Sequence, residues 1–112
     1  MPSLAAIREQ RQSARLTALR ASAADVAANH PGGEVWLFGS LARGDWDGCS
    51  GVDLLAIAPS KQLADALADA LLDARLGDDV LALSQERWQQ LKGGDDLYWR
   101  AIGRDALRLD QP

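Results

Sequence analysis

The stretch that decides the fold runs from Phe38 to Leu54 and reads "FGSLARGDWDGCSGVDL". Its first half is a turn. The apolar run Glu34 to Phe38, "EVWLF", has a strand-like composition, Gly39 breaks it, and Ser40 to Arg43 suits one helical turn. A strand that enters a helix through Gly-Ser leaves backbone N–H groups and a hydroxyl open to an anion. Gly39 lets the backbone approach a phosphate closely. Ser40 offers its hydroxyl, and Arg43, one turn on, adds positive charge. The second half leads into a strand, "VDLLAIA" from Val52 to Ala58, apolar except for Asp53. Such a strand is expected to be buried on both faces, and a carboxylate within it is costly unless paired or bound to metal. Asp53 is thus a candidate metal ligand. Gly39, Ser40 and Arg43 are candidate phosphate-binding residues.

Working outward, Leu4 to Asn29 has no internal Gly or Pro and reads as one long helix, with Ser3 as its N-cap and "HPGG" as its stop. Pro59 and Ser60 end the "VDLLAIA" strand and cap a helix from Lys61 to Leu76. There Leu63, Leu67 and Leu71, with Ala70 and Ala74 beside them, predict the buried stripe. Asp65, Asp69 and Asp73 form a second row, read as a solvent face. "GDDVLALS" is a turn and a short strand, and Ser84 caps a helix reaching about Gln90. "GGDD" interrupts, Leu97 to Ile102 is a last helical piece, and Gly103 leads into "DALRL", an edge strand. This order predicts an α+β (α/β) fold, a small mixed sheet flanked by helices, as a single domain over residues 1–112.

The 112 residues, 47% hydrophobic and 25% charged, suit one globular core. No apolar run approaches the roughly 18 residues of a membrane span, and the N-terminus has no apolar leader. The expectation is a cytoplasmic protein without membrane association. Cys49 is the only cysteine, which excludes an internal disulfide and a Cys-based zinc site. A net charge of −4 argues against general nucleic-acid binding. Arg8, Arg11, Arg15 and Arg20 give the first helix a local basic face, read as solvated surface. A lone histidine, His30, leaves little room for a Ser/His/Asp triad.

The full phrase resembles the minimal nucleotidyltransferase family, within the DNA polymerase β-like nucleotidyltransferase superfamily. That family carries a Gly-Ser-x-Ala-Arg-Gly turn, a short loop, and Ser-Asp-x-Asp-Leu on a strand. Here "GSLARG" matches from Gly39 to Gly44, "DWDGC" has the usual loop length, and "SGVDL" falls in register from Ser50 to Leu54. The resemblance implies a nucleotidyltransferase-like fold and Mg²⁺-dependent transfer of a nucleotidyl group from an NTP to a hydroxyl of a protein or RNA acceptor. It implies that Gly39 and Ser40 grip phosphate, and that Asp53 is the catalytic, metal-binding carboxylate. It also implies a small helical HEPN-type protein as partner, because members of the family often occur as antitoxin-like companions of such proteins.

Two departures from the family pattern bear on activity. Gly51 stands where the first aspartate of the pair belongs. Residues two apart on a strand face the same side, where paired carboxylates would hold two Mg²⁺ ions about 3.5–4 Å apart. The third carboxylate, the general base, falls at Leu81 by register with Ser84 and Glu86. Asp79, two residues earlier, and Asp47, in the loop with Asp45, are candidate substitutes. Trp46, between them, is a candidate for base stacking or for a cover over the site. With Asp53 alone, one weakly held Mg²⁺ remains defensible. Two readings result: a nucleotidyltransferase with impaired catalysis, or a non-catalytic, antitoxin-like or partner-binding module of the same descent. A third, on size alone, is a detached domain that works only with a larger protein.

Overall fold

Three serines start three of the helices. In the computed structural model, which describes residues 3–44 and 51–111, each accepts a backbone N–H from three residues on. Ser3 accepts from Ala6 at 3.1 Å, Ser60 from Leu63 at 3.2 Å and Ser84 from Arg87 at 3.1 Å. These are the caps expected from sequence, and each satisfies a donor that a helix start leaves open. The elements run α1 (Leu4–Ala27), β1 (Glu34–Phe38), α2 (Ser40–Arg43), β2 (Asp53–Ala58), α3 (Lys61–Asp73), β3 (Asp79–Ser84), α4 (Gln85–Gly93), α5 (Leu97–Asp105) and β4 (Leu107–Arg108). Asp96 caps α5, accepting from Tyr98 at 2.9 Å.

The strands form one mixed sheet in the order β3-β2-β1-β4. β1 lies antiparallel to both β2 and β4, while β2 and β3 are parallel across the α3 crossover. Residues Leu54 to Ala58 of β2 are all buried. Covering both faces of the strand explains its continuous apolar run. On one face Val35, Leu37, Leu54 and Ala56 pack with Ala23 of α1 and with Leu67, Ala68 and Leu71 of α3. On the other, Phe38, Leu55 and Ile57 pack with Trp88 of α4 and Ile102 of α5. Trp36 joins this second cluster with its ring 5.9 Å from Trp88. The α+β fold and mixed sheet are as the sequence predicts.

Two elements differ from expectation. The buried stripe of α3 is Ala64, Leu67, Ala68 and Leu71, whereas Leu63 is 50% exposed and Ala74 is exposed. A ladder of every fourth residue overshoots the 3.6-residue turn, so with Leu67 and Leu71 on the core face its first rung, Leu63, winds off it. Asp65, Asp69 and Asp73 do lie on the exposed face, with Asp65 paired to Lys61. Helix α5 does not stop at Ile102 but runs through Gly103 to Asp105. A Cβ at Gly103 would lie 2.8 Å from Cγ of Lys92, so the glycine serves close packing of α5 on α4 rather than a helix end.

The revised stripe makes a direct comparison possible. Leu67→Ala should lower stability by about 2–5 kcal/mol, while Leu63→Ala should stay within about 0.5 kcal/mol of the parent. Urea unfolding measures both, and equal losses would contradict this packing.

Candidate active site

Strand register builds the site. Phe38 of β1 stands opposite Asp53 of β2, and Asp53 stands opposite Asp79 of β3. Residues paired across a ladder share a face, so these three form a row across one end of the sheet. Leu81, expected at the third carboxylate position, pairs instead with Leu55, two residues further into the sheet. The residue beside Asp53 is Asp79. The ladder opens there because the backbone N–H groups of Asp78 and Asp79 both donate to the carbonyl of Val52, at 2.8 and 3.3 Å.

The turn comes against Asp53 from the β1 side. Gly39 has φ 82° and ψ −156°, a backbone region essentially restricted to glycine. A Cβ there would sit 2.6 Å from Oδ2 of Asp53. As N-cap, Gly39 gives α2 no side-chain cap, and the single turn closes on Gly44 in the left-handed region. Phe38, Gly39, Ser40, Arg43 and Asp53 line one wall of a cleft of 440 Å³. Helix α5 supplies the other wall with Tyr98, Ala101, Ile102, Arg104 and Asp105. The sequence-predicted Gly39, Ser40, Arg43 and Asp53 are thus brought together. Asp79 flanks them on the far side of Asp53. Asp47, with Asp45 and Trp46, lies outside the described residues.

The two walls differ electrostatically. The carboxyl of Asp53 is raised above its usual 3.8, first by burial, then by repulsion from Asp79 and Asp78. Asp105 is pushed the other way. It accepts from Nε and Nη2 of Arg104 at 3.0 and 3.1 Å, and its pKa is lowered by that hydrogen bond, with the charges of Arg104 and Arg43 adding to it.

Gly51 borders another carboxylate. A Cβ on it would lie 3.4 Å from Oδ2 of Asp78, which accepts the N–H of Val52 at 2.7 Å. Sequence reasoning missed Asp78 because its context, "GDD", reads only as a turn. It missed the α5 wall because α5 is far from the motif in the chain. One signal for that wall was available: Tyr98, Ala101, Ile102 and Asp105 have the spacing of a single helix face.

Among the described residues no group of three or more His, Cys, Asp or Glu is placed to hold a metal ion. Mg²⁺ does not need such a cage, since it commonly takes one or two carboxylates and completes its shell with phosphates and water. Asp53 and Asp79, adjacent on neighbouring strands and mutually repelling, fit one ion held in that way, because a divalent cation offsets the repulsion.

Residues 19–96 match the family model of the nucleotidyltransferase domain, and the chain belongs to that family. The match spans β1 through α4 and ends at Asp96, before α5. No curated protein and no solved structure gives a match. No helix among the described residues is long and apolar enough to cross a membrane.

Two measurements follow from this geometry. Gly39→Ala should cost about 1–3 kcal/mol from backbone strain, with the clash against Asp53 adding to it; a parent-like urea midpoint would contradict the contact. Asp53 holds its proton more tightly folded than unfolded. Its contribution to stability is therefore full below about pH 3.8 and lost as pH rises through the raised value. Asp53→Asn should melt above the parent at neutral pH without divalent ions, and the gap should close on acidification. A variant less stable than the parent at pH 7 would reverse that sign.

Proposed function

We propose that the domain binds an Mg²⁺–nucleoside triphosphate in the cleft beside Asp53 and transfers its nucleotidyl group to a hydroxyl of a protein or RNA acceptor, at a rate reduced by the glycine at position 51. The observation that carries this reading is the row of Asp53 and Asp79 next to the Gly39–Ser40 turn. Gly39 lets the backbone come close to a phosphate, Ser40 donates its hydroxyl to a phosphate oxygen, and Arg43 adds charge. Asp53 and Asp79 hold one Mg²⁺, which when bound neutralises and orients the triphosphate. Asp79 accepts the proton of the acceptor hydroxyl. The acceptor oxygen bonds to the α-phosphorus as the bond to the leaving pyrophosphate breaks. The reading fits a cytoplasmic setting, where NTPs are available.

A second reading, a partner-binding, antitoxin-like module, draws on α1. Of that helix's 24 residues only Ala23 is buried, and Leu4 is 81% exposed. A small helical HEPN-type protein is the partner that this reading names. Co-elution of the two chains on size exclusion tests it, and separate elution at micromolar concentration counts against it.

For the enzyme, the test is transfer of α-labelled NTP to macromolecules of a cell lysate with Mg²⁺. The parent should label an acceptor, Gly51→Asp should label it faster, and Asp79→Asn should slow labelling by about 10²–10⁴-fold. If neither the parent nor Gly51→Asp transfers label, the transferase reading fails.

A further inference from the structure

The family match stops at Asp96, yet half of the described residues lining the cleft come from beyond it. Resting on the Mg²⁺–NTP reading above, we infer that α5 holds the nucleotide: Tyr98 stacks on the nucleobase, and Arg104, on the wall facing Arg43, binds a phosphate of the triphosphate. Tyr98 lines the cleft and is 62% exposed, so its ring is open to solvent there. Its ring is not adrift. It meets Trp99 edge-on, centroids 5.7 Å apart at 81°, and Trp99 packs against the second core cluster. The contact positions the Tyr98 ring, and its exposed surface is what a nucleobase would stack on. The apolar Ala101 and Ile102 lie one turn further along the same helix face.

The phosphate end is marked by Asp105. Its carboxylate takes two guanidinium donors of Arg104 from its own wall and feels the charge of Arg43 from the other. An internal anion thus already pairs with Arg104, and a polyphosphate, carrying more charge, competes for that arginine. The wall itself is fixed. Ile102 is buried in the core, Gly103 lets α5 press on Lys92, and the Lys92 ammonium lies 4.9 Å from the centre of the Trp88 ring.

Calorimetric titration of the full chain with Mg²⁺–ATP and with Mg²⁺–tripolyphosphate separates the two roles. Tyr98→Ala should weaken ATP binding by about 5- to 100-fold and leave tripolyphosphate binding unchanged, with Tyr98→Phe close to the parent. Arg104→Gln should weaken both ligands about tenfold. Ser40→Ala, on the opposite wall, reports the NTP reading by itself. If the parent binds both ligands and Ser40→Ala weakens them, but Tyr98→Ala and Arg104→Gln bind as the parent does, α5 has no part in binding the nucleotide. Equal loss of both ligands in Tyr98→Ala overturns the stacking role. If the parent binds neither ligand, the NTP reading falls and this inference falls with it.

Discussion

Gly39 and Asp53 meet where β1 leaves the sheet and β2 enters it, and the rest of the site depends on that contact. A single added carbon on Gly39 would lie 2.6 Å from the Asp53 carboxylate, and the backbone there holds a φ of 82°. The glycine is therefore demanded by the fold before any ligand is considered. Because it yields, the one-turn α2 opens directly beside the carboxylate, and the Phe38–Asp53 pairing can start the ladder that sets Asp79 in the same row. The turn and the acid are one local structure, so whatever occupies the first lies next to the second.

The acidic side of this arrangement works against the stability of the fold. Asp53 is partly desolvated and lies beside two further carboxylates, so its charged form is disfavoured. A residue chosen for packing would not be an aspartate here, and functional sites commonly carry such local conflicts. Gly51 bears on the same balance. Its open side faces the carboxylate of Asp78, so an aspartate in its place would add like charge to an already acidic strand end. The glycine lessens repulsion at that strand end. The opposite wall is balanced differently, with Asp105 compensated by Arg104 and by the field of Arg43.

What the sequence made legible was local. The three serine caps, the limits of β1 and the one-turn α2 each depend on residues a few positions apart, and they appear where composition puts them. The continuous apolar run of β2 correctly signalled burial on both faces. What escaped was relational. Leu81 was placed by counting back from Ser84, but the ladder is set at its other end, where the Val52 carbonyl receives Asp78 and Asp79. Leu63 matched a repeat of four that the helical pitch does not keep. Gly103 looked like a stop because its neighbour Lys92 lies on another helix. The α5 wall escaped because only tertiary packing brings residues near 100 against residues near 40.

The two residues of β4 also bear on the order in which the molecule comes together during synthesis. Their partners on β1, Trp36 and Leu37, are made about 70 residues earlier. At cellular elongation rates of 5–20 residues per second, the outer edge of β1 waits roughly 4–14 s for its covering strand. An unpaired strand edge is a template for wrong pairing, and this one carries "VWLF". The nascent chain is therefore most vulnerable after β2 has docked and before β4 arrives. Helix α5 emerges just ahead of β4, so the cleft gains its second wall at nearly the same time as β1 gains the protection of its outer edge.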